Sequence, residues 1–273
     1  MPLLIITLAA LVFASWMFFE PQRVAWRRRA VLRAPCPDAW RDILRRRVPY
    51  FRRLPADLQL RLKERIKVFI AEKAFVGCAG LEIDDEIRVT IAAQACLLIL
   101  NHGDDYCYPK LQRVLVYPGA FAVTKKTTDP FGLQREQRQV LAGESWSLGQ
   151  VVLSWQDTLD GAAIDDDGRN VVFHEFAHQL DQETGAANGT PELPVSRMYA
   201  GWAQVLGAEF EQLRARAAEG ETSLLDDYGA TNPGEFFAVA SEVFFERPRE
   251  MAALHPGLYQ QLSAYYRLDP RLW

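Results

Sequence analysis
The chain has 273 residues, 49% of them hydrophobic and 24% charged, enough to bury one large core or two modest ones. A net charge of -4 gives no reason to expect nucleic-acid binding. The four cysteines (Cys36, Cys78, Cys96, Cys107) show no Cys-x-x-Cys pair and read as free thiols of a reducing compartment rather than as disulfides.

Leu3 to Phe19 is seventeen residues without a charge, at the short end of the range for a membrane-spanning helix. No basic region precedes it, as a secretory signal would require. Arg23, Arg27, Arg28, Arg29 and Arg33 follow instead, and the positive-inside rule then keeps the rest of the chain in the cytoplasm. The expectation is a single-pass inner-membrane anchor over residues 1–22, a basic juxtamembrane segment over 23–50 and one large domain over 51–273. The alternative is a buried N-terminal helix in a cytosolic protein. Arg41 to Tyr50 is basic and amphipathic, which suits a solvated face better than a lipid contact.

Pro55-Ala-Asp57 opens a predicted helix to about Ala74, with Leu58, Leu62, Ile66 and Phe69 on one face. Glu82 to Leu100 predicts a second, more buried helix, and His102 in the loop after it reads as a capping or surface residue. Arg113–Tyr117 and Phe121–Val123 predict strands around a Pro118-Gly119 turn. Gln134 to Gln139 is charged and reads as a mobile loop or short helix, and Gly149 to Trp155 as a further strand. Val151–Trp155 is the candidate edge for adding an extended peptide, or else an ordinary sheet strand.

The stretch Asn170 to Asp181 carries a His-Glu-x-x-His pattern. On a helix His174 and His178 lie one turn apart on one face and can reach one metal ion, while Glu175 stands beside them as a candidate general base. Two imidazoles suit zinc. The acidic run Asp165–Asp167 favours a helix start here, and Gly185 is the candidate stop. No third histidine follows at short spacing: Asp181 and Thr184 occupy the places where a Gly and a His would be needed. A carboxylate on a later helix can complete the set. Pro233 suits a helix start, and Glu235 and Glu242 stand seven apart on an otherwise apolar segment. Two carboxylates facing a core need partners, so Glu235 reads as the third ligand and Glu242 as its neighbour held by a histidine or arginine. Asp181 lies on the same face and can orient an imidazole. Tyr228, seven residues before Glu235, either donates to an oxyanion or packs at a loop corner. His255 is a spare, either a loop residue or a fourth ligand of a latent state. A closing helix is expected from Leu258 to Arg267, packed by Leu258, Leu262 and Tyr265.

His174–Asp181, Ala187–Pro194 and Tyr228–Phe245, with Gly143–Trp146 and Val151–Trp155 upstream, resemble the Mlc titration factor A (MtfA) family of bacterial zinc-dependent peptidases. The catalytic part of anthrax lethal factor is similar in its His-Glu-x-x-His, later Tyr and following Glu. The resemblance implies one zinc per chain on His174, His178 and Glu235, Glu175 as general base and Tyr228 as transition-state donor. It also implies aminopeptidase-like activity on peptides and, in enterobacteria, binding of the glucose repressor Mlc. The apolar N-terminal run sets this chain apart from the soluble enterobacterial members. The expected fold is α+β: a mostly helical, zincin-like metallopeptidase domain with a small sheet, after one transmembrane helix. A rival reading is a regulatory module that sequesters a transcriptional regulator and uses its zinc structurally.

Overall fold
The computed structural model describes residues 19–20, 22–128, 134–141, 143–146 and 149–273, with the backbone alone from 121 to 146. The apolar run at residues 3–19 lies outside this set save for its last residue. Among the described residues no helix is long and apolar enough to cross a membrane.

Prolines punctuate the N-terminal helices. Helix α1 covers residues 22–33, and Pro35 and Pro37 separate it from α2 (Asp38–Arg47). Pro49 occupies the first turn of α3 (Pro49–Arg53), and Pro55 caps α4 (Ala56–Glu72), because a residue before proline is driven out of the helical region. Lys67 on α4 reaches back to donate to the carbonyls of Leu32 and Ala34, closing the end of α1. Ile43, Leu44, Val48 and Tyr50 of the basic segment are buried in the same core as Leu62, Ile66 and Phe69.

Strand β1 (Ala74–Gly77), helix α5 (Asp85–Leu98) and strand β2 (Arg113–Tyr117) form a parallel β-α-β unit, with Ala74 opposite Arg113. Asp84 caps α5 by accepting from Ile87 N, and the helix beyond is buried almost throughout, as its apolar run required. After it, β3 (Phe121–Thr128) and β4 (Gln134–Leu141) form an antiparallel hairpin of their own. The charged segment at 134–139 is therefore strand, where a loop or helix was expected; polar residues alternate freely in a hairpin outside the main sheet.

The main sheet runs β1-β2-β6-β5, with β5 (Gly143–Trp146) antiparallel to β6 (Gln150–Ser154) and the other three strands parallel. This corrects the edge assignment. Val151 to Ser154 lies inside the sheet, paired on both sides, while β5 is the outer strand and Trp155 begins the next helix.

The second half is helical: α6 (Trp155–Ala163), α7 (Val171–Asp181), α8 (Met198–Glu219), α9 (Pro233–Glu246), α10 (Pro248–Leu254) and α11 (Pro256–Tyr266). α8 has no counterpart in the sequence reading. Only Trp202, Leu206 and Leu213 of its 22 residues are buried, so its apolar stripe is thin. α9 is the core helix, with Phe236, Phe237, Phe244 and Phe245 all out of solvent, each ring worth roughly 1.5–3 kcal/mol. α11 lays Leu258, Leu262, Tyr265 and Tyr266 on it, with the Phe244 and Tyr266 rings stacked 5.4 Å apart. His102 is half-buried rather than fully on the surface. Its ring packs between those of Tyr106 and Tyr265, and burial lowers its pKa to about 4. His255 is buried against Glu209, with Nδ1 2.7 Å from the carboxylate, and pairs there rather than with a metal cluster. All four cysteines are unbridged.

Candidate metal centre
The segment leading into α7 hangs from α9. Asn170, extended at φ -146° and ψ 105°, caps the helix through Oδ1, which accepts from Val172 N and Phe173 N at 3.1 and 3.0 Å. Its Nδ2 donates to Gln94 Oε1 on α5 and to the Gly161 carbonyl on α6, both at 2.9 Å. Its own N–H donates to Glu242 Oε1 at 2.7 Å, and the preceding Gly168 and Arg169 N–H groups donate to Glu246 Oε2 at 2.9 Å. Asn170 thus locks four helices together, and it, not the acidic run before it, starts the helix. Asn170→Ala strips a cap and leaves buried partners unsatisfied. Denaturant unfolding should show about 2–4 kcal/mol lost. Asn170→Asp, which keeps the cap but sets a buried carboxylate oxygen against two acceptors, should lose no less.

α9 starts on a second asparagine: Asn232 Oδ1 accepts from Glu235 N at 3.0 Å, with Pro233 in the first turn. Seven residues separate Glu235 from Glu242, so both point at α7. Glu235 Oε2 lies 3.0 Å from His174 Nε2 and 3.1 Å from His178 Nε2. Glu242 Oε2 lies 3.0 Å from Nδ1 of the same His174. The two imidazoles stand nearly perpendicular, 4.8 Å apart between centroids. His174, His178 and Glu235 side chains remain 14%, 12% and 18% exposed, so the cluster opens to solvent at one side.

The charges around His174 do not balance within the protein. Burial opposes its protonation, but hydrogen bonds to Glu235 and Glu242 outweigh that and raise its pKa well above the ordinary value. Burial likewise raises the Glu235 carboxyl, and the two imidazoles overcome it and hold the group far below its usual range. Glu175 is 5% exposed; burial pushes its pKa up to about 7, against a downward pull from His174 and His178. Its Oε2 is buried without a hydrogen-bond partner among the described residues.

Tyr228 sits on a short turn (Asp227–Ala230) capped by Asp226, with its ring 5.9 Å from that of His174 and half its surface exposed. It is at the cluster and open to a substrate, rather than packed in a corner. Asp181 is placed differently from the expectation. Both of its oxygens are taken by backbone N–H groups, Gly189 at 2.7 Å and Thr190 at 2.8 Å, and none of its hydrogen bonds goes to an imidazole. A side chain three residues past His178 turns toward the following loop, which it pins against the start of α9. Gly189 fits there because its φ is +76° and a Cβ would lie 2.4 Å from the Pro233 carbonyl.

The donor set fits zinc. With its Nδ1 proton held by Glu242, a neutral His174 would present its Nε2 lone pair to a cation, in place of the proton it otherwise shares with Glu235. Three such atoms lie within 4.8 Å of one another. The 3.0 and 3.1 Å spacings are close to the roughly 3.3 Å edge of a tetrahedron with 2.0–2.1 Å bonds. Two imidazoles and one carboxylate suit zinc and disfavour magnesium or calcium, which take oxygen ligands.

A model of the glucose-regulated metallo-peptidase M90 family matches residues 23–267. The chain belongs to that family. Relatives of this M90 chain include the uncharacterized protein slr2042 of Synechocystis sp., 39% identical over 271 residues, 99% of this chain and 98% of that protein. Mlc titration factor A of Salmonella typhi is 37% identical over 234 residues, 85% of this chain and 86% of its own. The Enterobacter sp. (strain 638) protein of the same name is 36% identical over 240 residues, 86% of this chain and 88% of its own. Membership places this M90 chain among metallopeptidases acting on peptides, and His174, His178 and Glu235 form the one cluster among the described residues that could hold a metal ion.

Proposed function
We propose that the chain is a zinc-dependent metallopeptidase of aminopeptidase type, with one ion per chain held by His174, His178 and Glu235. The observation that carries this reading is the convergence of those three donors beside a buried carboxyl, Glu175. A zinc ion held there would supply Lewis acidity for the scissile carbonyl and for activating water. Glu175 acts as general base, taking a proton from the water that attacks the carbonyl carbon and returning it to the amine that leaves as the C–N bond breaks. Tyr228 donates a hydrogen bond from its phenol to the oxyanion of the tetrahedral species. Glu242 fixes the ring and tautomer of His174 through Nδ1. The experiment is metal analysis joined to a panel of chromogenic aminoacyl and peptide substrates. Hydrolysis should vanish with chelator and return with zinc.

The name of the Mlc titration factor A relatives supports a second reading, in which the chain sequesters a transcriptional regulator and the ion is structural. Zinc-loaded protein that hydrolyses nothing in the panel would favour it. For location we propose an inner-membrane anchor over residues 1–22 with the metal centre in the cytoplasm. Support comes from the uncharged run and from the Synechocystis relative, whose match spans 99% of this chain and so reaches into that run. Extraction of the chain from membranes by alkaline carbonate would refute the anchor and favour the cytosol.

A further inference from the structure
The arginines of this chain are segregated. Residues 23–53 hold eleven arginines against two aspartates, a net +9, while the chain as a whole is -4, so the remainder carries -13. Several of the eleven are paired within the fold: Arg28 with Glu72, Arg47 with Glu86 and Arg53 with Asp165. Those on the outer side of α1 are not. Arg27, Arg29 and Arg33 are exposed and make no ion pair among the described residues. At their centre Trp26 is 70% exposed, with Leu32 41% exposed nearby.

The rotation of α1 is fixed by its contacts. Arg28 makes a two-pronged bond to Glu72, Nε to Oε1 at 2.5 Å and Nη2 to Oε2 at 2.9 Å, and Lys67 holds the Leu32 carbonyl at 2.9 Å. Val24, Arg27, Arg28 and Val31 line one groove with Val68 and Ala71 of α4, so Trp26, Arg29 and Arg33 lie on the solvent side of α1 with Arg27 at its edge. An exposed indole among arginines, directly after a run of seventeen uncharged residues, matches the interfacial layer of a bilayer.

We propose that this outer face of α1 docks on anionic phospholipid headgroups, with Trp26 at the level of the acyl boundary and Arg27, Arg29 and Arg33 on the phosphates. It rests on the anchor reading for how the chain reaches a bilayer, whereas the lipid preference belongs to α1. Docking this face sets which side of the peptidase turns toward the membrane, because α1 is clamped to α4. Each arginine near an anionic surface is worth roughly a fivefold gain in partition, so three give about a hundredfold.

The test reconstitutes the full chain with vesicles of phosphatidylcholine alone or with phosphatidylglycerol. Alkaline carbonate extraction reads the anchor. Fluorescence quenching by brominated lipid, as the difference between wild type and Trp26→Phe, reads the docked face. The expected result is quenching of the Trp26 signal in phosphatidylglycerol bilayers, lost with Arg27→Glu/Arg29→Glu/Arg33→Glu and at high salt. Carbonate-extractable protein with that lipid preference would overturn the anchor and leave the docking surface standing. Equal quenching with both lipids, or none with either, would overturn the docking surface whatever carbonate shows. Duplex DNA displacing the vesicles at equal charge concentration would also overturn it, assigning the face to nucleic acid.

Discussion
Glu175→Gln is expected to retain the metal and to lose roughly two to four orders of magnitude in peptide hydrolysis, the usual weight of a positioned general base. The side chain lies beside His174 but is not one of the three converging donors, so metal content should match wild type. The same change should stabilise the metal-stripped protein near neutral pH. Burial holds the folded-state pKa of Glu175 at about 7 against an ordinary 4.5, so the folded form prefers the carboxyl neutral. The stability this preference adds is fully present below about pH 4.5 and is lost as pH rises through 7. Glutamine has no charge to lose, and its advantage should grow with pH to about 3 kcal/mol. Melting curves of stripped wild type and variant at pH 5 and 8 check this. A gap that does not widen would mean that Glu175 is better solvated than its burial indicates, and wild-type turnover would remove it as the base.

The second large effect is graded between two glutamates of one helix. Glu235→Ala removes a ligand and leaves two imidazoles without their shared carboxylate, so metal content at stoichiometric zinc should collapse and activity with it. Glu242→Ala takes away the acceptor of His174 Nδ1 and of Asn170 N but no ligand. Zinc affinity should fall about 10–100-fold, with activity recovered at high zinc. It should also lower stability by about 1–3 kcal/mol, because a buried N–H at the helix start loses its partner. Titration with a competing chelator separates the two variants. Equal affinities would dissolve the distinction between ligand and support.

The site was more legible in the sequence than the frame that holds it. Helical periodicity alone puts His174 and His178 on one face, and Pro233 announces the helix that carries Glu235, so the donors could be named from local rules. The apolar run around Glu242 showed that the carboxylate needs a partner, though not that the partner is His174, because that pairing is set by how α7 and α9 cross. Asp181 shows the limit of the same rule. Its spacing places it on the histidine face, but two backbone N–H groups from a loop eight residues on compete for it and win. Gln94 and Glu246 left no local trace; each is defined by what a distant element brings to it. α8 escaped because a helix lying half in water buries only three residues of twenty-two, and β4 because its charged residues lack the apolar alternation by which a strand is read.

The way α7 is suspended has a consequence for how the ion arrives and leaves. Its first turn is tied to α5, α6 and α9 by Asn170, Glu242 and Glu246, through hydrogen bonds that involve no cation. The cradle is therefore built before loading, unlike domains that collapse around a structural zinc and melt when it is withdrawn. Dialysis against chelator should give a folded, silent protein that wakes on re-addition of metal, which would let availability of the ion itself set when the peptidase works.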